Sequence, residues 1–329
     1  MKKLLILIFA ISIGYSSNLS NISTQRLAGQ MIMIGFNGKD IKEYTIRKLG
    51  QEASLGKLGG IVFRANNFTD TEQAKKLVKR FKNIAIVNPL FLAIDYKDLD
   101  KNYDFMYFKE PDFVNQTLNI NDARLSYLKT ALNLKELGLN LNLSLGVNTQ
   151  ITNDLLDKLS IYAREYSDAF KQSNILVSAK TFPGDMNYLE KEVKDYKISF
   201  LKPFYDFSQT NKVDMIMISN KIYPMLDTNP AVMSEKIINI LKNDLAYKGV
   251  IISDDILGGD LDNIDFSERI INSINAGVDI LYFGLSKIKY GDTASYVVDI
   301  ITKAVNDGKI TRKRLEESYL KITSLKEKL

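Results

Sequence analysis

The sequence contains no histidine and no cysteine among its 329 residues. Without histidine there is no Ser-His-Asp set, and no imidazole to carry a proton near neutral pH. Without cysteine there is no disulfide, no soft-ligand zinc site and no residue to take a lipid anchor. The folded chain must rely on its core. An excess of one charge is also lacking: the formal net charge is +5, and setting aside Lys2 and Lys3 leaves +3. No clustered basic face accompanies it, so nucleic acid is excluded as a partner. Lys191, Lys194 and Lys197 are interleaved with acids, the pattern of a solvated surface. Neither a Gly-x-Gly-x-x-Gly helix start nor a Gly-x-x-x-x-Gly-Lys-Ser/Thr loop occurs, and nothing calls for a cofactor. A calcium loop is refused as well. Asp98, Asp100 and Asn102 alternate correctly, but Tyr103 and Lys109 stand where glycine and glutamate are needed.

What is present is ordinary globular composition, 45% hydrophobic and 25% charged. Residues 1–14 have a basic start and an apolar run too short for a stable membrane span. Gly14 and Ser16 then supply the small side chains of a secretory cleavage site. The expectation is a signal peptide over 1–16, a mature domain over 17–329, and a periplasmic protein with no stable membrane insertion. An uncleaved anchor is the alternative, disfavoured by the shortness of the run.

Short apolar strands alternate with amphipathic segments. Strands are expected near Gly29–Ile34, Gly60–Phe63, Leu90–Ile94, Leu139–Leu143, Ile175–Ala179, Val213–Ile218, Val250–Ile252 and Val278–Phe283. Helical patterns lie between them, among them Thr71–Phe81, Asp122–Leu137, Asp154–Phe170, Ser234–Leu245 and Ser267–Asn275, with Thr311–Leu329 closing the chain. Asp70 and Thr311 stand where helix caps belong. Eight strand–helix repeats are the count of a single-domain α/β (β/α)₈ TIM-like barrel. A doubly wound open sheet is the competitor, and the missing nucleotide glycines count against it.

In such a barrel the site forms where strands end. Arg64 with Asn66 and Asn67, Asp95, Lys180, Asn220, and Asp254 with Asp255 end five different strands. Two acids closing the buried run Gly249-Val-Ile-Ile-Ser-Asp-Asp-Ile256 are costly to place unless they stay wet or do chemistry. Carboxylates with a lysine and no histidine leave carboxylate chemistry, whose main use is glycoside cleavage. The set contains no metal site.

Several segments carry a resemblance: Gly59-Gly-Ile-Val-Phe-Arg-Ala-Asn-Asn67, Ala179-Lys-Thr-Phe-Pro-Gly184, Asn220-Lys-Ile-Tyr-Pro224, the Ser-Asp-Asp run and Ala276-Gly-Val-Asp279. Together they resemble glycoside hydrolase family 3, most closely its single-domain β-N-acetylglucosaminidases, from about Leu27 to the eighth strand. The resemblance implies Asp254 as the nucleophile, with Asp95 and Lys180 holding sugar hydroxyls; Arg64 and Asn220 are further candidates for substrate binding.

The departures are as informative. The family's Lys-His-Phe-Pro-Gly-His-Gly, and the Asp-Ser-His loop after it that brings the general acid, are replaced by Lys180-Thr-Phe-Pro-Gly-Asp-Met-Asn-Tyr-Leu-Glu-Lys-Glu192 in a shorter segment. The Glu-Gly-Gly-Arg stretch after the third strand becomes Tyr96-Lys-Asp-Leu-Asp-Lys-Asn102, and the arginine loop between Leu145 and Asp154 is deleted. Asp185, Glu190 and Glu192 are candidate substitute acids, although pairing of Glu190 and Glu192 with Lys191 and Lys194 on a solvated helix start fits their spacing better. Aromatic residues from Tyr96 to Phe108 suit packing over the mouth better than stacking on a sugar. Two readings follow. One is an impaired or inactive glycan-binding or scaffold protein of the cell envelope, with an N-acetylglucosamine-containing glycan, a peptidoglycan fragment or an envelope protein as partner. The other is an active periplasmic retaining enzyme with a substitute acid. Export and the coordinated losses favour the first.

Overall fold

The computed structural model describes residues 19–84, 88–95, 119–147, 153–184, 201–284 and 292–329. Eight parallel strands close into a barrel: β1 (Ile32–Gly35), β2 (Gly60–Phe63), β3 (Phe91–Ile94), β4 (Leu141–Gly146), β5 (Leu176–Phe182), β6 (Met215–Ile218), β9 (Val250–Asp255) and β10 (Ile280–Phe283). Between β6 and β9 the chain adds an antiparallel hairpin, β7 (Ile222–Tyr223) and β8 (Asp227–Pro230). β1 pairs with both β2 and β10, so no barrel edge is left open. Strands such as β3, Phe-Leu-Ala-Ile, and β6, Met-Ile-Met-Ile, are buried at every residue, because the barrel interior covers one face and helices the other.

The helices around the barrel are α1 (Thr24–Gln30), α2 (Tyr44–Ser54), α3 (Thr71–Ile84), α4 (Ile120–Leu137), α5 (Asn153–Gln172), α6 (Lys202–Thr210), α7 (Glu235–Asn239), α8 (Phe266–Ala276), α9 (Thr293–Asn306) and α10 (Arg312–Lys326). Their ends follow local chemistry. Asp70 Oδ1 accepts from Gln73 N at 2.8 Å to open α3, and Thr311 Oγ1 accepts from Arg314 N at 3.2 Å to open α10. Asn119 caps α4, which ends at Gly138 with φ of 89°, a conformation glycine adopts without strain.

All the barrel strands but β2 differ from the sequence pattern by one to three residues at an end, β5 and β9 running on to Phe182 and Asp255; the starts of β1 and β4 have a local cause. Gly29 and Gln30 finish α1, and β1 starts only at Ile32. Ser23 caps that helix, and Leu27–Gln30 are all buried, so an apolar run reads alike for helix or strand. The fourth strand begins at Leu141 because Leu139 N still bonds to Leu134 O, completing the end of α4.

The C-terminal helix α10 lies across the end of the barrel where strands begin. Its Arg314, Ser318 and Lys321 reach Asp279, one residue before β10, while Lys326 reaches Gln30, two residues before β1. Asp279 is fully buried, with Arg314 Nη2 at 3.0 Å and Lys321 Nζ at 3.1 Å. Burial alone would raise its pKa. Lys321, Arg314 and the Ile251 amide reverse that, holding the carboxyl below its usual range. Ala276-Gly-Val-Asp279 therefore braces the barrel end opposite the candidate site.

Candidate active site

The last residues of β9 are shaped by a bulge. Between the pairs Ile280↔Ile252 and Tyr282↔Asp255, β10 advances two residues while β9 advances three. Ser253, fully buried, compensates by accepting from Tyr282 N on its hydroxyl at 2.9 Å. Asp254 and Asp255 follow, both half-buried at the strand's C-terminal end. Asp254 Oδ1 accepts from Asp255 N at 2.8 Å. Asp255 Oδ1 accepts from two backbone amides, Gly284 at 2.8 Å and Leu257 at 3.0 Å. Burial pushes the Asp255 carboxyl above its ordinary pKa, and the charge of Asp254 adds to this; the amides of Gly284 and Leu257, and Arg64, draw it back.

Two strands away on β5, Lys180 points its ammonium at Asp95, which follows β3. Lys180 Nζ lies 3.2 Å from Asp95 Oδ1, and their side chains are 12% and 4% exposed. A second contact reaches Asp95 from β10, where Tyr282 Oη lies 3.5 Å from Oδ2. Arg64, just after β2, approaches the same tyrosine, Nη2 to Oη at 3.5 Å. Burial and the neighbouring Asp95 charge raise the Tyr282 pKa, so its hydroxyl stays protonated and donates. Gly284 leaves the room these groups need. A β-carbon there would lie 2.2 Å from Asp255 Oδ2 and 2.8 Å from Arg64 Nη2.

Of the residues expected at the site, Arg64, Asp95, Lys180 and Asp254 all stand at the C-terminal end of the barrel. Asn220 stands there too, but its side chain is buried and donates to the Asp255 carbonyl at 2.6 Å. That contact braces β9. Asn67 is likewise structural, binding Phe36 O and Gly38 O through Nδ2 at 3.0 and 2.9 Å. The Lys-x-Phe-Pro-Gly segment is fixed from the β7–β8 hairpin, where Tyr223 Oη donates to Gly184 O at 2.8 Å. Asp185, Glu190, Glu192 and the aromatic stretch after Asp95 lie outside the described residues. Only six residues, 147–152, separate β4 from α5.

Sequence reasoning missed Tyr282, whose place in Ile-Leu-Tyr-Phe looks merely apolar. The usable signal was that a buried tyrosine hydroxyl requires a polar partner. It also missed Ser253 and Gly284, whose parts depend on a bulge and a close approach that pattern alone does not reveal.

The family profile described as Glycosyl hydrolase family 3 N terminal domain matches residues 154–325. This chain belongs to that family. A Beta-hexosaminidase of Photobacterium profundum is 26% identical over 251 residues, covering 68% of this chain and 74% of that protein. The crystal structure of Beta-N-acetylhexosaminidase from Beutenbergia cavernae superposes with a TM-score of 0.78 at 16% identity, covering 93% of this chain and 99% of the other. A glycoside hydrolase family 3 beta-N-acetylglucosaminidase from Paenibacillus sp. gives a TM-score of 0.76 at 18% identity. The match covers 93% of this chain but only 62% of the Paenibacillus chain.

Proposed function

We propose that this protein is an exported β-hexosaminidase-like barrel of the cell envelope that holds N-acetylglucosamine-containing glycans and protonates leaving groups poorly. The observation that carries this is the buried Asp95–Lys180 pair at the same barrel end as Asp254, in a chain with no histidine. A carboxylate–ammonium pair offers acceptors and donors together, which suits vicinal hydroxyl groups. Asp254 is the nucleophile that attacks the anomeric carbon in this reading, as the retaining mechanism requires. The leaving oxygen then departs with little protonation, and general acid help is typically worth about 10²–10⁴-fold. The natural ligand is a peptidoglycan-derived sugar, bound at the mouth and turned over slowly if at all.

The test uses purified mature protein on two substrates, an aryl N-acetyl-β-glucosaminide and chitobiose. An aryl leaving group needs almost no protonation, so it reports the nucleophile alone. Turnover of the aryl substrate, lost in Asp254→Asn and accelerated by azide, with chitobiose slow or inert, is the expected result. Efficient chitobiose hydrolysis abolished by changing Asp185, Glu190 or Glu192 would establish instead an active enzyme with a substitute acid. No turnover, sugar binding unchanged in Asp254→Asn and a protein captured at the envelope would support a scaffold.

A further inference from the structure

Among the described residues, the aromatic side chains that stand exposed are Tyr44 and Tyr296, at 53% and 41%. Both belong to one patch of the barrel rim. In a (β/α)₈ barrel each helix starts from the end where the strands finish, so helix starts surround the mouth. Tyr44 opens α2 after β1, Phe266 opens α8 after β9, and Tyr296 lies near the start of α9 after β10. Because β9, β10 and β1 are consecutive around the barrel, these three helix starts are neighbours. Contacts run across the patch. Tyr44 and Lys48 are four residues apart on α2 and share a face. Lys48 Nζ lies 3.2 Å from Asp292 Oδ1. Asp292 holds the Lys48 ammonium above its usual pKa, and Tyr44 adds to this, so the ring is close to the pair. The Asp292 carbonyl accepts from Tyr296 N at 3.0 Å, one helical turn on. Tyr296 in turn stacks on Phe266, with ring planes 2° apart and centroids at 6.0 Å. Phe266 is anchored on the fully buried Phe283 of β10, centroids at 6.2 Å.

We propose that Tyr44 and Tyr296, with the Lys48–Asp292 pair between them, form a second glycan-binding site on the rim, a platform for a strand of β-linked N-acetylhexosamines outside the mouth. A pyranose ring offers C–H groups on its face and hydroxyl and acetamido groups around its edge. Aromatic rings with an apolar body take the face, while a lysine that donates and a carboxylate that accepts take the edge. The pair is neutral in sum, which fits an uncharged polymer and gives an anionic lipid or nucleic acid no net attraction. Two rings set apart by charges also differ from the contiguous apolar centre of a protein interface. Tyr296 is fixed in advance, because Phe266 and Phe283 set the plane of its ring, so less freedom is lost when a ligand settles on it. The platform shares the barrel end at which Asp254 closes β9. A strand held on the rim therefore raises the local concentration of its own sugars at the mouth.

The sugar class rests on the proposed function, and the experiment separates the two. The chain contains no tryptophan, so Tyr296→Trp sets a single indole on the platform. Its emission, titrated with chitohexaose, should change and saturate. Adding Tyr44→Ala should weaken that binding about threefold or more, the size of a lost aromatic contact. Sedimentation with purified peptidoglycan sacculi reads the polymer. Tyr44→Ala and Tyr296→Ala should each weaken it about threefold or more, and Tyr44→Phe and Tyr296→Phe, which keep the rings, should restore it. N-acetylglucosamine binding by calorimetry reads the mouth and should be unchanged in all of them. An indole indifferent to chitohexaose would overturn the platform. So would sacculus binding that is the same in the double alanine variant as in the unaltered protein, or a parallel loss of N-acetylglucosamine binding, which would trace the effect to the mouth. A responsive indole in a protein that binds no N-acetylglucosamine would refute the proposed mouth site and leave the platform standing.

Discussion

Replacing Asp279 with asparagine removes one charge from the most heavily partnered carboxylate at the end of the barrel opposite the site. Its oxygens accept from Ile251 N at 3.0 Å, Arg314 Nη2 at 3.0 Å, Ser318 Oγ at 2.8 Å and Lys321 Nζ at 3.1 Å. Asparagine has nearly the same shape but only one accepting oxygen, so its amide hydrogens must face donors. Arg314 would be left 14% exposed without its counter-charge. Breaking a buried ion pair by removing one partner typically costs about 3–5 kcal/mol. Unfolding entropy of roughly 2.1 cal/mol/K per residue gives about 0.7 kcal/mol/K for a chain of this length, so the midpoint should fall by about 4–7 °C.

The sign of the pH dependence follows from the lowered pKa of Asp279. A carboxyl held below its unfolded value, near 3.9, contributes stability above that pH and loses it as the pH falls through the folded value. The gap between the two proteins should therefore be widest near neutrality, begin to narrow below about pH 4 as the unfolded carboxyl takes up its proton, and close only as the pH falls through the lowered folded value. Calorimetry across this range is the assay, with N-acetylglucosamine binding measured alongside and expected to be unchanged. A midpoint shift under about 1 °C at pH 7 would refute the reasoning, since a broken buried pair cannot be that cheap. So would a gap as wide at pH 3 as at pH 7.

Lys326 is fully buried, with its ammonium nitrogen 2.8 Å from Gln30 Oε1 and 4.8 Å from the Phe91 ring centroid, and burial lowers its pKa to about 7. The unfolded chain keeps that proton to about pH 10.4, so the midpoint should rise from pH 7 to 9, helped by Lys242, lowered to about 8. Lys326→Met should flatten that rise, and a rise of undiminished slope in the variant would assign it elsewhere. Tyr223→Phe should cost about 1 kcal/mol by freeing the Gly184 carbonyl, and should weaken sugar binding; a variant matching the unaltered protein in midpoint and binding would deny the hairpin any part in the site. Sequencing the protein from the envelope fraction should find a start near Ser17, whereas an intact Met1 in the cytoplasm would end the export proposal.

What the sequence disclosed and what it hid divide along a physical line. Asp95, Lys180 and Asp254 were legible because each interrupts or ends an apolar strand, where a charged side chain needs a reason. The parallel barrel brings such strand ends to one opening. Asn220 met the same test and proved a brace, because position in the pattern does not say whether a side chain faces the opening or the next strand's carbonyl. Lys326 was invisible in a helix rich in lysine and glutamate. Its burial depends on α10 crossing the barrel end instead of lying along the side, a packing choice no periodicity encodes. Asp255 is the instructive case. In sequence it is a second acid beside Asp254, the nucleophile of the proposed reading, and the pairing of two carboxylates invites an acid–nucleophile reading. Space settles its contacts. Two backbone amides converge on its Oδ1, while burial, and after it the neighbouring Asp254 charge, push its carboxyl above the ordinary range. Separating the two aspartates requires the bulge that advances β9 by one residue and the missing side chain at Gly284, both of them properties of how β9 and β10 meet.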